Sequence, residues 1–327
     1  MAGGLDRPHR SRLTAVVART TDTTNDRSPS GPRSTLFGVD TDVPTRVLVL
    51  GMIRSDGRLA AADILPVAQA CNQTPEQVRS CLRRLVREGL LTRDGTGREA
   101  TFRTTPEGVR VLSASLDRIR IAMEQDGAGR VWDRRWHLAA FAVPETKRAG
   151  RDAFRDHLLD LGGAAIHNGL YVSPRQWREE AAARAAELDV LDHVTFATTD
   201  DLEIAGTTDP RAIARRLWSI DELGQRYQAF VDEFAHVPEL LDRRRRDRQR
   251  LSEAEFLPGS LAFGSRFQEC FNDDPLLPPE LLPRPWPGRA ARDLMFTCRR
   301  LGVLLREEHD EPRLFAPWDD LLLSLRS

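Results

Sequence analysis

The sequence has little lysine and cysteine and no long apolar run. Lys147 is the only lysine among 48 basic residues. The four cysteines show neither Cys-x-x-Cys nor mixed Cys/His spacing, so we expect small buried thiols in a reducing cytoplasm and no metal site. No stretch reaches the roughly 18 apolar residues of a transmembrane helix. The N-terminus has no apolar segment behind its basic residues. These absences predict a soluble, cytoplasmic protein without membrane contact.

The size and charge of the chain set limits on any binding surface. The chain has 327 residues, of which 40% are hydrophobic, so two or three domains with real cores are expected. Its 48 basic and 49 acidic residues give a net charge of -1. A surface that attracts a polyanion must therefore be local, because the molecule as a whole is close to neutral.

Residues 74–90 predict one short amphipathic helix with defined ends. Thr74 and Gln77 have the spacing of a capping box, and Pro75 falls at the first helical position, where its missing N–H costs nothing. Gly89 is placed to end the helix in a left-handed turn. Apolar residues recur at helical spacing and form one stripe: Val78, Cys81, Leu82 and Leu85. The opposite side carries Gln77, Ser80, Arg83, Arg84 and Arg87. Such a helix suits the major groove of DNA, although a solvated surface helix has the same pattern.

The segments on either side of this helix decide between the two interpretations. Helices are predicted at 45–54 and from Ala60 to Cys71, and a strand, a glycine-rich tip at 94–98 and a second strand follow Gly89. Three helices and a hairpin predict a winged-helix DNA-binding domain over residues 43–113. Arg93, Arg98 and Arg103 then lie on or near the wing, where they are expected to meet phosphates or the minor groove.

The rest of the chain is divided by its patterns into an arm, a linker and two further domains. Residues 1–40 are polar and predict a disordered arm, and 114–130 predict a linker helix. Residues 131–206 have the order β-α-β-β-α-β of a small ferredoxin-like domain. Residues 207–327 predict a helical C-terminal domain with a proline-rich docked segment around 273–287. The fold class is thus multidomain α+β. The run of four arginines at 243–246 is compatible with a nucleic-acid contact, but such a run more often forms a solvated helix face or a loop rim.

Several blocks of the chain together resemble the PaaX-like regulators, transcriptional repressors of phenylacetate and related aromatic catabolism. The blocks are VRSCLRRLVREGLL at 78–91, WDRRWHLAAFAVPE at 132–145, GLYVSP at 169–174, LWSIDELGQRYQAF at 217–230 and DPLLPPELLPRPWPGRAA at 274–291. The resemblance covers most of the chain except the first 40 residues. It implies a homodimer that binds an operator in double-stranded DNA and is released by an aromatic acyl-CoA.

The predicted sites follow from these patterns. The DNA-binding candidates are Thr74, Gln77, Arg79, Ser80, Arg83, Arg84, Arg93 and Arg98. An acyl-CoA needs cations for its phosphates and an apolar slot for its acyl group. The candidates for the effector are Arg134, Trp136, His137 and Trp177, each of which has ordinary packing or a surface position as its alternative interpretation.

The alternative function is that of a metal-dependent nuclease built on the ferredoxin-like domain. Asp133 precedes the first strand of that domain, where a metal-binding carboxylate would sit. The sequence has no second carboxylate at a clear spacing, no His-Glu-x-x-His and no glycine-rich phosphate loop. The seven histidines show no metal spacing. We therefore expect a regulator and not an enzyme, with no catalytic residue, no metal and no cofactor.

Overall fold

A computed structural model describes residues 44–127, 131–249 and 253–305. The predicted arm at 1–40 and the end of the chain after 305 lie outside the described residues. The described residues divide into two compact units. One unit contains residues 44–119, Arg226–Phe271 and 287–305, and the other contains Arg120–Gln225 and Asn272–Trp286. The proline-rich segment is therefore in the same unit as the central sheet, whereas the sequence had assigned it to the C-terminal domain.

The first unit begins with three helices and a small antiparallel sheet. The helices are α1 (Thr45–Gly51), α2 (Ala61–Ala70) and α3 (Pro75–Arg87), and the strands are β1 (Arg58–Ala60), β2 (Leu91–Asp94) and β3 (Thr101–Thr104). The strand order is β1-β3-β2. A 3-10 turn at Gly97–Glu99 lies in the tip of the β2–β3 hairpin. The hairpin and all three helices match the sequence prediction, but β1 was not predicted.

The core beneath this sheet explains why the three helices form. Each helix buries an apolar face, and β1 and β3 bury Leu59 and Phe102, which are direct cross-strand neighbours. Residues of the helices that contribute to this core include Leu48, Val49, Ile64, Val78, Leu82 and Leu85. The chain then enters the long helix α4 (Pro106–Asp126), which was predicted to end near Met123.

The described part of this unit has four further helices, two of which pack through an aromatic cluster. The four helices are α9 (Val237–Arg246), α10 (Glu253–Asn272), α11 (Pro287–Leu305) and the last part of α8 (Ile220–Phe234). The cluster joins α8 to α10, where Phe230, Phe234 and Phe263 lie with ring centroids 5.0 to 5.2 Å apart. Arg118 of α4 stacks over Phe271, with its guanidinium carbon 5.5 Å from the ring centroid, and donates to the Phe271 carbonyl at 3.0 Å. These contacts fix α4 to the helical part of the unit.

The second unit is built on a four-stranded antiparallel sheet with the predicted element order. Its strands and helices alternate as β4 (Trp136–Phe141), α5 (Arg148–Asp160), β5 (Ala164–His167), β6 (Leu170–Ser173), α6 (Arg178–Glu187) and β7 (Val194–Thr199). The strand order is β5-β6-β4-β7. α5 and α6 cover one face with Phe154, Leu158 and Ala181.

The opposite face of this sheet is also covered, which the sequence did not predict. α7 (Pro210–Leu217) contributes Ile213 and Ala214 to a core with Trp136, Trp218 and residues of the proline-rich segment. Trp218 donates its indole N–H to the carbonyl of Gly162 at 3.1 Å. Both faces of the sheet are therefore occupied by packed side chains within this unit.

Candidate nucleic-acid interface

Helix α3 has the ends that its sequence predicts. The Thr74 side chain accepts a hydrogen bond from the Gln77 N–H, and Gln77 Oε1 accepts one from the Thr74 N–H at 2.7 Å. Pro75 is the first helical residue. Gly89 has φ +74°, the left-handed conformation that glycine adopts without steric cost. The predicted capping box and stop signal are both confirmed, so the orientation of this helix is fixed at its two ends.

The capping box decides what Thr74 and Gln77 offer to a ligand. The Thr74 oxygen and Gln77 Oε1 both accept hydrogen bonds from backbone N–H groups. The Thr74 hydroxyl proton and the Gln77 Nε2 protons remain available to donate while the cap stays intact. Both candidates are therefore hydrogen-bond donors at the N-terminus of α3, where a helix also favours anions.

Three polar residues of α3 lie on its exposed side, and one candidate does not. Arg79, Ser80 and Arg83 are exposed, whereas Val78, Cys81, Leu82 and Leu85 are buried as predicted. Arg84 differs from the expectation, because it is only half-exposed and lies against Cys81, with its Nε buried. Burial raises the pKa of the Cys81 thiol. Arg84 is thus placed at the border of the helix face, beside the core.

Glu76 is a member of this face that sequence reasoning missed. Its carboxylate accepts from Arg79 Nε at 3.1 Å through Oε2 and from Arg83 Nη2 at 3.0 Å through Oε1. The hydrogen bonds from Arg83 and then Arg79 lower the pKa of Glu76. The spacing of Glu76 and Arg79, three residues apart on a helix, was the signal available in the sequence.

A buried ion pair anchors the C-terminal end of α3. Arg46 of α1 is fully buried, and its Nη2 lies 2.8 Å from Oε2 of Glu88, the residue that caps α3. The side chain of Glu88 is 26% exposed. A buried guanidinium needs such a partner because an unpaired charge in the core is costly. Arg46 therefore joins the first helix to the end of α3.

Two arginines of the small sheet, Arg93 and Arg103, have no acidic partner among the described residues. Arg103 of β3 lies directly opposite Arg58 of β1 and Thr92 of β2 in the strand register. Arg58 lies 3.5 Å from Asp56, but the Arg93 and Arg103 side chains have no ion pair within the described residues. The side chain of Arg98 lies outside what the structure describes. Arg58 and Arg103 therefore place two positive charges opposite each other on neighbouring strands, where like charges repel.

The four effector candidates do not form one cluster. Trp136 lies in the core on one face of the central sheet, and Trp177 lies in the core on the other face. His137 is buried, with Nδ1 3.2 Å from the Thr198 hydroxyl. Arg134 is exposed and has φ +60°. The two tryptophans are packing residues here, and no common pocket brings the four together among the described residues.

Asp133 has local partners. Its Oδ1 accepts from the Arg135 N–H at 2.9 Å, and its Oδ2 lies 3.4 Å from His137 Nε2.

Among the described residues, no group of three or more His, Cys, Asp or Glu side chains could hold a metal ion. Within the same residues, no helix is both long and apolar enough to cross a membrane. All four cysteines are buried, as predicted, and none of them forms a disulfide.

Two family models match the chain. The model of the PaaX protein central Cas2-like domain matches residues 129–214, and that of the PaaX-like protein C-terminal domain matches 218–308. Together they span more than half of the chain. The chain belongs to the PaaX-like family. The candidate interface at 74–103 precedes both matched regions of this PaaX-like protein, so its assignment depends on its own geometry.

Two known proteins are similar to this PaaX-like chain over much of its length. The transcriptional repressor PaaX of Escherichia coli K12 is 26% identical over 217 residues. That match covers 66% of each chain, slightly less than two thirds of the repressor. A solved structure of an uncharacterized protein, Rv0674 from Mycobacterium tuberculosis, is 19% identical with a TM-score of 0.46, covering 79% of this chain and 94% of the other.

Proposed function

We propose that this protein is a transcriptional repressor that binds an operator in double-stranded DNA through a winged helix at its N-terminus. Its similarity to the E. coli repressor supports the regulatory role. The order α1-β1-α2-α3-β2-β3 supports the winged-helix assignment. We also propose a ferredoxin-like central domain, supported by the element order from β4 to β7. The protein acts in the cytoplasm and has no catalytic role.

The observation that carries this proposal is the distribution of arginines in one small module. The exposed side of α3 presents Arg79 and Arg83, and the strands after it present Arg93 and Arg103 without acidic partners among the described residues. Phosphate contacts from such side chains position a protein on DNA, and a helix in the major groove reads the bases. A chain of net charge -1 depends on this module for its affinity.

The capping geometry limits what Gln77 reads. A glutamine recognises adenine by donating to N7 and accepting from N6 at the same time. Gln77 Oε1 already accepts from the Thr74 backbone. The remaining Nε2 donors favour an acceptor such as guanine O6, guanine N7 or a phosphate oxygen. We propose that Gln77 and Arg79 both recognise acceptor-rich base edges.

Dimerisation and release complete the proposed function. One winged helix reads too few bases to select a genomic site, so a homodimer on two half-sites supplies the rest. The effector proposed for release is an aromatic acyl-CoA, on the strength of the family resemblance. Arg134 is the exposed cation among the four candidates for that effector. A thermal-shift panel of acyl-CoA thioesters tests this part, and an unchanged melting temperature with every thioester contradicts it.

The DNA-binding proposal is tested with duplexes from the region upstream of the gene. Wild-type protein is expected to bind one duplex with steep salt dependence, measured by fluorescence anisotropy. Arg79→Ala combined with Arg83→Ala is expected to weaken binding by about 100-fold, since each good bidentate contact contributes roughly 1–3 kcal/mol of discrimination. Arg103→Ala should weaken binding to all sequences alike and reduce the salt slope by about 0.9. Arg110→Ala, on an exposed pair of α4, is the control. Unchanged binding by the double variant contradicts the assignment of α3.

A further inference from the structure

Glu76 holds two arginines through different oxygens. Oε2 lies 3.1 Å from both Nε and Nη2 of Arg79, and Oε1 lies 3.0 Å from Nη2 of Arg83. All three side chains are more than half exposed, so the pairs stabilise the fold little. Their consequence lies in how the two cations are presented to an anion.

The contact with Glu76 leaves one edge of Arg79 free. The carboxylate oxygen occupies the side edge of the guanidinium, made by Nε and Nη2. The end-on edge, made by Nη1 and Nη2, keeps the fork of donors that matches O6 and N7 of guanine. A carboxylate behind the guanidinium fixes its direction, so less side-chain freedom is lost when the fork meets a base.

The same carboxylate opposes contacts that depend on charge alone. The trio of Glu76, Arg79 and Arg83 has one net positive charge, where the two arginines alone would have two. Binding to random DNA depends on the number of phosphates neutralised, and Glu76 repels those phosphates. Binding to a matching base depends on direction, which Glu76 improves.

We propose that Glu76 sets the sequence selectivity of α3, by fixing Arg79 for guanine and by reducing the attraction of both arginines to the phosphates of random DNA. This inference depends on the proposed DNA-binding function. It assigns a specificity role to an acidic residue at the second position of the helix, next to Pro75.

The chain provides a matched control on another helix. Pro106 and Glu107 begin α4 as Pro75 and Glu76 begin α3, and Glu107 accepts from Arg110 Nε at 2.9 Å. Glu107→Gln therefore removes the same charge from the same helical position and the same kind of pair. The change in selectivity caused by Glu107→Gln therefore shows how much the loss of a surface carboxylate matters when that carboxylate does not lie on the exposed face of α3.

The experiment compares two duplexes for each variant. The preferred duplex is selected by wild-type protein from a random library, and a scrambled duplex of equal length is the reference. For Glu76→Gln we expect binding to the scrambled duplex to tighten, with a salt slope steeper by about 0.9, and the ratio of the two dissociation constants to fall roughly fivefold or more. Arg79→Lys, which keeps the charge and loses the fork, should lose selectivity without losing affinity for the scrambled duplex.

The outcomes separate this inference from the function on which it depends. If wild-type protein selects no sequence and binds no duplex in a salt-dependent way, both are overturned. If wild-type protein is selective and Glu76→Gln retains that selectivity within twofold, or if Glu107→Gln reduces it equally, the role of Glu76 is overturned while the DNA-binding function stands. Circular dichroism of each variant shows whether the helices remain formed.

Discussion

The buried pair of Arg46 and Glu88 allows a sharp stability prediction. The Arg46 side chain is 1% exposed, and its Nη2 lies 2.8 Å from Glu88 Oε2. Nevertheless, no guanidinium nitrogen of Arg46 makes a hydrogen bond of good geometry within the described residues, so the distance alone identifies the pair. The burial of this cation is therefore only partly compensated.

The two partners are expected to respond differently to substitution. Removing one partner of a buried pair typically costs 3–5 kcal/mol, because the other charge stays buried. Since Glu88 is 26% exposed and water reaches it, Glu88→Ala should cost about 3 kcal/mol, at the lower end. Arg46→Met removes the charge at similar volume and should change stability by less than about 1 kcal/mol in the destabilising direction. The double variant should recover most of the loss.

The assay has to report on the unfolding of residues 44–119 alone, the module that contains α1 to α3 and the small sheet. All six tryptophans lie outside residues 44–119, so tryptophan fluorescence does not follow it. Hydrogen exchange of peptides covering α3 does, and it gives a local free energy of opening. Glu107→Gln, on an exposed pair, is the control and should change that energy by less than about 0.5 kcal/mol. If Arg46→Met is as destabilising as Glu88→Ala, the pair fully compensates the burial of the charge and the reasoning is refuted.

Two further predictions concern a helix cap and a histidine. Thr74→Ala should destabilise α3 by about 1 kcal/mol and Thr74→Ser by much less, because only serine restores the acceptor for the Gln77 N–H. Hydrogen exchange of the peptides covering α3 measures both losses. Equal losses would contradict the capping role of Thr74. Burial lowers the pKa of His157 below its ordinary 6.5 in the folded state. Folding therefore favours the neutral form of His157. The contribution of this residue to the free energy of unfolding is fully present above pH 6.5 and is lost as the pH falls below that value. The difference in unfolding free energy between wild type and His157→Asn should be flat above this pH and shrink below it; a difference independent of pH would count against burial.

Local sequence patterns were sufficient to predict most of the helices and strands. They did not predict which segments distant in the sequence pair or pack with each other. The capping box, the buried stripe of α3 and the β4-to-β7 order follow from spacings of a few residues. Strand β1 has three residues, too few for a period, and forms because Leu59 pairs with Phe102 more than forty residues later. The cover on the second face of the sheet depends likewise on segments distant in sequence, such as α7 and the proline-rich stretch.

The candidate site divides in the same way. The exposure of Arg79 and Arg83 follows from helical periodicity, whereas the half-buried position of Arg84 beside Cys81 was not predicted from it. Charged residues are usually exposed, whereas Arg46 is buried, so no sequence rule identifies it as a core residue. Trp136 and Trp177 are separated by the sheet itself, because they belong to cores on opposite faces.

The pairing of charges differs between the basic segments of the described residues. The run at 243–246, the most basic stretch of the chain, lies on α9, where Arg245 and Arg246 contact Asp242 at 3.0 and 3.3 Å and Arg243 contacts Glu239 at 3.1 Å. Two carboxylates one helical turn away, Glu239 and Asp242, thus offset half of the charge of the four arginines. In the small sheet of the first unit, by contrast, Arg103 has no ion pair among the described residues, and its neighbour across the strands is Arg58. If the proposed function holds, Arg93 and Arg103, which have no ion pair among the described residues, are the cations that a polyanion meets with their charge not offset by a carboxylate.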